Sequence, residues 1–380
     1  MTGDVWVAGA GMTSFGKHPE ASLRGLGREA CRQALVDAGC EPGAIGAVYC
    51  GSALAMLLHG EGAPGQAIGW ELGLRGVPVV NVANACASGA TALHLAWRDL
   101  AAGLHDCVLV IGVDKALMPK GSVLKVGAAD PEVRLGEIFP ATFALVAQQH
   151  MRRFGTTLAQ MAEVSVKNHR HGSLNPLAQF NQLFTREEVL ASPMIADPLT
   201  LYACCPNSDG AAALVLRRRR ASPRDLALVG SALTSGQYDN PRDFTRWECE
   251  IAAAKLAYAQ AGMGPEALDV VEVHDAFTIC EIVHYEDLGL CAPGEGGALV
   301  ERGITALGGR IPVNPSGGLL ARGHPPGASG VAQVVEIVTQ LRGEAGARQV
   351  DGARTGLAQI MGGSQAGDAQ ACAVHILKAV

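Results

Sequence analysis

Ala34-Leu-Val-Asp-Ala-Gly-Cys-Glu-Pro-Gly-Ala-Ile-Gly-Ala-Val48 aligns without a gap on Ala257-Tyr-Ala-Gln-Ala-Gly-Met-Gly-Pro-Glu-Ala-Leu-Asp-Val-Val271. Ala-Gly, Pro, an aliphatic residue and Val recur in register. Each copy follows a helical stretch, Leu23 to Val36 or Glu248 to Gln260, stops it at Gly39 or Gly262, and leads into a strand. The strands end beside Cys50-Gly51-Ser52 and His274-Asp275. Further on, each half repeats a strand followed by a glycine-containing entry into a helix, Asn81 to Ala90 and Asn314 to Gly330. The pattern predicts an α/β chain of two similar halves packed face to face. Ala-Gly turns also occur in any αβ unit, and that plainer reading stays open on the repeat alone.

Composition narrows the function classes. The 380 residues are 48% apolar, 17% charged and 4% aromatic, a profile for a packed globule rather than a disordered chain. With 30 basic against 36 acidic residues the chain lacks the basic excess of a nucleic-acid binder. Its dense basic run, Arg217 to Arg220, follows an apolar strand and reads as a solvated turn. The eleven cysteines contain no C-x-x-C pair, and Cys204-Cys205 are adjacent rather than spaced for one ion, so no metal site is expected. A reduced, cytoplasmic protein fits that usage. Met1 to Gly9 reads as the entry to a first strand rather than a leader, and no apolar run reaches membrane-spanning length.

Working outward, Asn81-Val-Ala-Asn-Ala-Cys86-Ala-Ser-Gly-Ala-Thr-Ala-Leu93 sets one thiol where a β-branched run (Val77, Val79, Val80, Val82) yields to helix formers. The N-H groups and dipole of a helix start favour the thiolate. A buried structural cysteine is the alternative. Val271-Glu272-Val273-His274 puts a histidine at a strand end, and Gly323-His324-Pro325 puts another in a glycine-dense turn. One could take the proton of Cys86 to give a thiolate/imidazolium pair, and the other could donate to a developing oxyanion. Between the halves, residues 117–200 read as an inserted loop domain. There Lys167, His169, Arg170 and His171 are candidates for an anionic ligand, with a solvated polar face as the alternative.

These stretches also carry a resemblance. Asn84-Ala-Cys-Ala-Ser-Gly, Lys167-Asn-His-Arg-His, Cys204-Cys-Pro-Asn-Ser-Asp-Gly-Ala-Ala, His274-Asp-Ala-Phe, Asn314-Pro-Ser-Gly-Gly-Leu, Gly323-His-Pro and Gln340-Leu-Arg-Gly-Glu-Ala-Gly run in order along nearly the whole chain. They resemble the thiolase superfamily, in particular its sterol-carrier-protein type and bacterial and archaeal relatives. The resemblance implies the thiolase fold: two βαβαβαββ halves in a five-layered α-β-α-β-α arrangement. The halves would divide at residues 1–218 and 219–380, with a homodimer at minimum. It implies Cys86 as acyl-accepting nucleophile, His324 as its base, His274 at an oxyanion site, and the backbone of Gly363 at a second one. Coenzyme A would be co-substrate with no tightly bound cofactor, and Lys167, His169 and Arg170 would be candidates to contact it.

The departures decide how far function follows. Ordinary thiolases carry a second cysteine in a C-terminal Cys-x-Gly, where this chain has Met361-Gly-Gly-Ser. Animal relatives of the sterol-carrier type carry one in His-Asp-Cys-Phe, where this chain has Ala276. Cys280, one helical turn on, and double duty by His274 or His324 are the replacements the sequence offers. The expected activity is thiolytic cleavage of a 3-oxoacyl-CoA, or the reverse Claisen condensation, on a bulky, branched or aromatic acyl-CoA in a degradative pathway. The alternatives are a retro-aldolase acting on a 3-hydroxyacyl-CoA beside a small zinc-ribbon/OB-fold partner, and a vestigial lipid-transfer or scaffold subunit. Such a small partner is also expected with the thiolase reading, and neither nucleic acid nor membrane is.

Overall fold

The structure, a computed structural model, describes residues 5–118, 131–237, 243–364 and 367–380. Strands β1 (Trp6–Met12), β2 (Ala47–Gly51), β3 (Val79–Val82), β4 (Cys107–Lys115), β5 (Asp209–Arg217), β6 (Leu226–Thr234), β7 (Val270–Glu272), β8 (Thr355–Gly362) and β9 (Ala371–Lys378) form a sheet ordered β3-β2-β4-β5-β1-β6-β9-β8-β7. It is two sheets joined edge to edge, because β1 and β6 meet only at Trp6 opposite Ala227 and Val7 opposite Leu226. The main helices are α1 (Leu23–Asp37), α2 (Ser88–Ala101), α3 (Phe139–Phe154), α4 (Leu158–Gly172), α5 (Glu248–Ala261), α6 (Thr278–Asp287), α7 (Gly318–Arg322) and α8 (Pro326–Leu341).

The two aligned stretches fold alike, as their sequence predicts. α1 leads through a 3-10 turn at Pro42–Ala44 into β2, and α5 leads through one at Pro265–Ala267 into β7. Both helices end where Gly39 (φ +55°) and Gly262 (φ +63°) turn left-handed, a conformation that penalises any residue with a Cβ. In the first half β2 pairs in parallel with β3 and β4, and in the second β7 pairs in parallel with β8 and bridges Val313 through Val271.

Layering follows from which faces are apolar. α1 covers one face of the first sheet and α5 one face of the second, while α2 and α8 pack against each other and against strands of both sheets. The order α-β-α-β-α results. A central helix is covered on every side, and every residue of α8 from Pro326 to Val338 is buried, mostly apolar but with Ser329, Gln333 and Glu336 among them. Val331, Val334, Ile337 and Val338 each bury a side chain worth roughly 1.5–3 kcal/mol.

α3 and α4 belong to the inserted segment, whose residues 119–130 lie outside the described ones. α4 opens with a capping box in which Thr157 and Gln160 exchange bonds. Among the described residues no helix is long and apolar enough to cross a membrane.

Candidate active site

Cys86 sits two residues before α2, in the turn leaving β3, as the junction in the sequence predicts. The turn is sharp because Ala85 takes φ +46°, a left-handed conformation costing roughly 1–2 kcal/mol for a residue with a Cβ. Ser88 holds it: its hydroxyl donates to the Ala85 carbonyl at 2.6 Å and accepts from the Asn84 N-H at 2.8 Å. The end of β8 closes over the same turn. Gly362 makes this possible, since a Cβ there would strike the Asn84 carbonyl oxygen. The backbone N-H groups of Gly363 and of Cys86 itself pull the sulfur toward the thiolate.

His324 reaches the sulfur from the other half, with Nε2 3.3 Å from Sγ. Its tautomer follows from its neighbours. Ser329 Oγ donates to the Pro325 carbonyl at 2.9 Å, so it accepts from His324 Nδ1-H at 2.8 Å and leaves Nε2 as a bare lone pair facing the thiol. His274 completes the cluster: its ring centre lies 5.4 Å from that of His324, and donor atoms of Cys86, His274 and His324 all lie within 4.8 Å of one another. Both ring nitrogens of His274 are buried and without a hydrogen-bond partner among the described residues. The Cys204-Cys-Pro-Asn-Ser motif clamps the two histidine loops. Cys205 N-H donates to the Ala276 carbonyl at 2.9 Å, and Ser208 Oγ accepts from His324 N-H at 2.9 Å.

Burial overrides the helix start in setting the resting charge. The Cys86 thiol is pushed up to about 12, chiefly by burial and then by the Asp114 carboxylate, against the opposing pull of the two backbone N-H groups. Burial, with the neighbouring His274 and Arg322, holds His324 well below the ordinary imidazole range. The expected thiolate/imidazolium pair is therefore replaced by a neutral thiol hydrogen-bonded to a neutral imidazole. His274 is lowered to about 3, first by burial and then by His284, and is likewise a neutral ring.

Other residues singled out in the sequence lie elsewhere. Cys280 is fully buried in the first turn of α6, packed in the apolar core and outside the three-residue cluster, and burial drives its thiol well up. Lys167 is neither ligand-facing nor solvated. Its ammonium, on a 4% exposed side chain, bonds Glu281 at 2.8 Å, the Asn168 side chain at 2.6 Å and the Val313 carbonyl at 2.8 Å, which uses all three protons. His169 is buried, donating Nδ1-H to the Ser165 carbonyl at 2.9 Å beside Phe180 and Phe184. His171, buried too, donates to the Asn314 carbonyl and accepts from Leu307 N-H. Arg170 alone of the four is exposed. The run is mainly a buried tie between α4 and the second half. Lys167→Met is expected to strand the buried Glu281 carboxylate and cost roughly 3–5 kcal/mol of unfolding free energy, read from denaturant midpoints.

Two buried acids escape sequence reasoning because their partners are remote in the chain. Asp114, at the end of β4, accepts from Ser52 Oγ, from the N-H groups of Ala53 and Leu54, and from Gly327 N-H at 2.6 Å, so it ties the first half to the start of α8. Its one signal is an acidic residue closing an apolar strand. Glu250 bonds His284 Nδ1 at 2.7 Å, and His284 Nε2-H donates to the His274 carbonyl at 3.0 Å. Burial holds the Glu250 carboxyl well above its usual range and lowers His284 to about 3, so the protonated carboxyl donates its O-H to the bare His284 Nδ1. This neutral pair fixes the backbone behind His274.

Known proteins share both sequence and fold with this chain. The family model described as thiolase, N-terminal domain, matches residues 5–220, and the one described as thiolase C-terminal domain-like matches residues 230–378. An acetyl-CoA acetyltransferase of Methanothermobacter thermautotrophicus is 42% identical, covering 98% of this chain and 99% of that one. Benzoylsuccinyl-CoA thiolase subunit BbsB of Thauera aromatica is 37% identical, covering 94% of each. Among solved structures, one named Ltp2-ChsH2(DUF35) aldolase superposes with a TM-score of 0.83 at 26% identity, covering 99% of this chain and 98% of that one.

Proposed function

The chain belongs to the thiolase family and is an acyltransferase of that family; on that premise we propose that it cleaves a 3-oxoacyl-CoA with CoA through an acyl-Cys86 intermediate. The observation that carries this reading is the bare His324 Nε2 facing Cys86 Sγ at 3.3 Å. The thiol passes its proton to His324 Nε2 as sulfur attacks the 3-keto carbon. The oxyanion is met by the N-H of His274, whose ring has no other partner among the described residues. Scission of the C2–C3 bond leaves the shortened acyl group on Cys86 and an enolate of the two-carbon CoA thioester, which takes the proton from His324 at C2 and departs as acetyl-CoA or its α-substituted counterpart. CoA then attacks the thioester, its proton passing through His324 to the leaving Cys86 sulfur, with the backbone N-H of Gly363 holding the second oxyanion. One histidine thus carries both proton transfers without a second thiol, and Cys280 takes no part. Of the loop-domain candidates for holding CoA, exposed Arg170 is retained.

We place the division between halves at residues 218 and 219, in keeping with the ranges the two family models match. The proposed substrate is a bulky, branched or aromatic 3-oxoacyl-CoA of a degradative pathway, which the benzoylsuccinyl-CoA thiolase subunit supports by its name. A homodimer is supported by β3, an edge strand with Val80 41% exposed, and by the exposed apolar residues Met56, Leu57 and Trp70 nearby in the chain. A small second subunit is supported by the relative named as a subunit and by the solved structure whose name joins Ltp2 to ChsH2(DUF35). The aldolase neighbour also keeps the retro-aldol reading as the rival.

One assay separates the two. Incubation with a 3-oxoacyl-CoA plus CoA is expected to yield two acyl-CoA products, with a 3-hydroxyacyl-CoA alone left unchanged. Release of an aldehyde or ketone from the 3-hydroxyacyl-CoA, with no thiolysis, would overturn the proposal.

A further inference from the structure

The convergence of Cys86, His274 and His324 has a second chemical reading. Their donor atoms, all within 4.8 Å of one another, are one sulfur and two imidazole nitrogens, the ligand types that bind zinc in tetrahedral protein sites. A metal at roughly 2.0–2.3 Å from each donor draws those donors somewhat closer together. His324 already presents a bare Nε2 to the sulfur, because Ser329 takes its Nδ1-H. His274 adds the independent observation: both its ring nitrogens are buried and unpartnered among the described residues. A buried polar atom without a partner is unfavourable, so the pocket favours a ligand that engages it. The nearby carboxylate, Asp114, is committed to four donors, which leaves no oxygen ligand for a hard ion such as magnesium or calcium.

We propose that Cys86, His274 and His324 form a three-ligand site for a single borderline-soft divalent cation of the zinc class, and that its occupancy reversibly inhibits the enzyme. On binding, the thiol gives its proton to solvent and the sulfur lone pair bonds the metal, with no change in oxidation state. Nucleophile and base are withdrawn together. Binding stands on the geometry alone, and inhibition rests on the acyl-transfer reading.

The test uses the full chain, freed of metal by chelator, with Co2+ as spectroscopic probe. One equivalent is expected to give a thiolate-to-cobalt charge-transfer band that is lost in Cys86→Ala and displaced by Zn2+. His274→Ala, and His274→Asn as a second variant should the first fail to fold by circular dichroism, is expected to weaken binding by ~10²-fold or more. Zn2+ is expected to protect Cys86 from alkylation and to inhibit thiolysis with the same midpoint, relieved by chelator. A band that survives in Cys86→Ala, or affinity unchanged in both His274 variants, overturns the site and leaves the acyl-transfer reading intact. Cys86-dependent binding at full activity upholds the site and overturns that reading of Cys86.

Discussion

Cys86→Ala is expected to lower the rate of 3-oxoacyl-CoA thiolysis by ~10⁴-fold or more, with secondary structure and unfolding midpoint close to those of the parent protein. The size follows from the role: without the sulfur no thioester forms, and no other thiol belongs to the three-residue cluster. Structure should survive because Cys86 lies at the margin of a small cluster of Ala87, Ala90, Ile360, Ala371 and Ala373, and alanine keeps its Cβ there. The turn itself depends on Ser88 and Gly362 rather than on the thiol. Thiolysis retained by the folded variant would remove the nucleophile from the mechanism.

His324→Ala is expected to cost ~10²-fold to 10⁴-fold in acylation at neutral pH, with a change in pH profile that a structural role would not produce. In the parent protein the thiol lies far above its usual range and the imidazole well below. Between those limits proton transfer from Cys86 to His324 is internal and takes no proton from the medium, so iodoacetamide labelling of Cys86 is expected to be flat from pH ~7 to ~9. It falls on the acid side, as His324 protonates and ceases to be an acceptor. In His324→Ala the thiolate forms only by loss of a proton to solvent. Labelling there is expected to start lower and rise about tenfold per pH unit. Equal rates and equal slopes in the two proteins contradict the proposed activation.

What could be read from sequence was what short-range chemistry dictates. The repeated Ala-Gly steps at Gly39 and Gly262 mark the same left-handed helix end in both halves, and Cys86 lies at the strand-to-helix junction its neighbours predict. The pull of the helix start toward the thiolate is a local property and legible, while the burial that pushes the thiol up is set by segments remote in the chain. Lys167-Asn168-His169 fails as a surface reading for the same reason: α4 is enclosed by α6, α7 and the Asn314 loop, so a polar run that looks solvated becomes a buried network. Cys280 is not one helical turn past Ala276, because the helix starts only at Thr278 with Phe277 as its cap, and the first turn of α6 buries Cys280 in the core. Asp114, Ser329 and the Glu250–His284 pair carry no motif. Apart from Ser329, five residues beyond His324, their partners lie tens to hundreds of residues away.

The acyl enzyme itself can be caught. The protein is mixed with a 3-oxoacyl-CoA in the absence of free CoA, quenched in acid, digested and examined by peptide mass spectrometry. The expected result is the acyl mass on the peptide carrying Cys86, discharged when CoA is added before the quench and missing in Cys86→Ala. Turnover with no acyl group on Cys86, or an acyl group on a different residue that discharges to CoA at the same rate, would contradict the acyl-Cys86 intermediate.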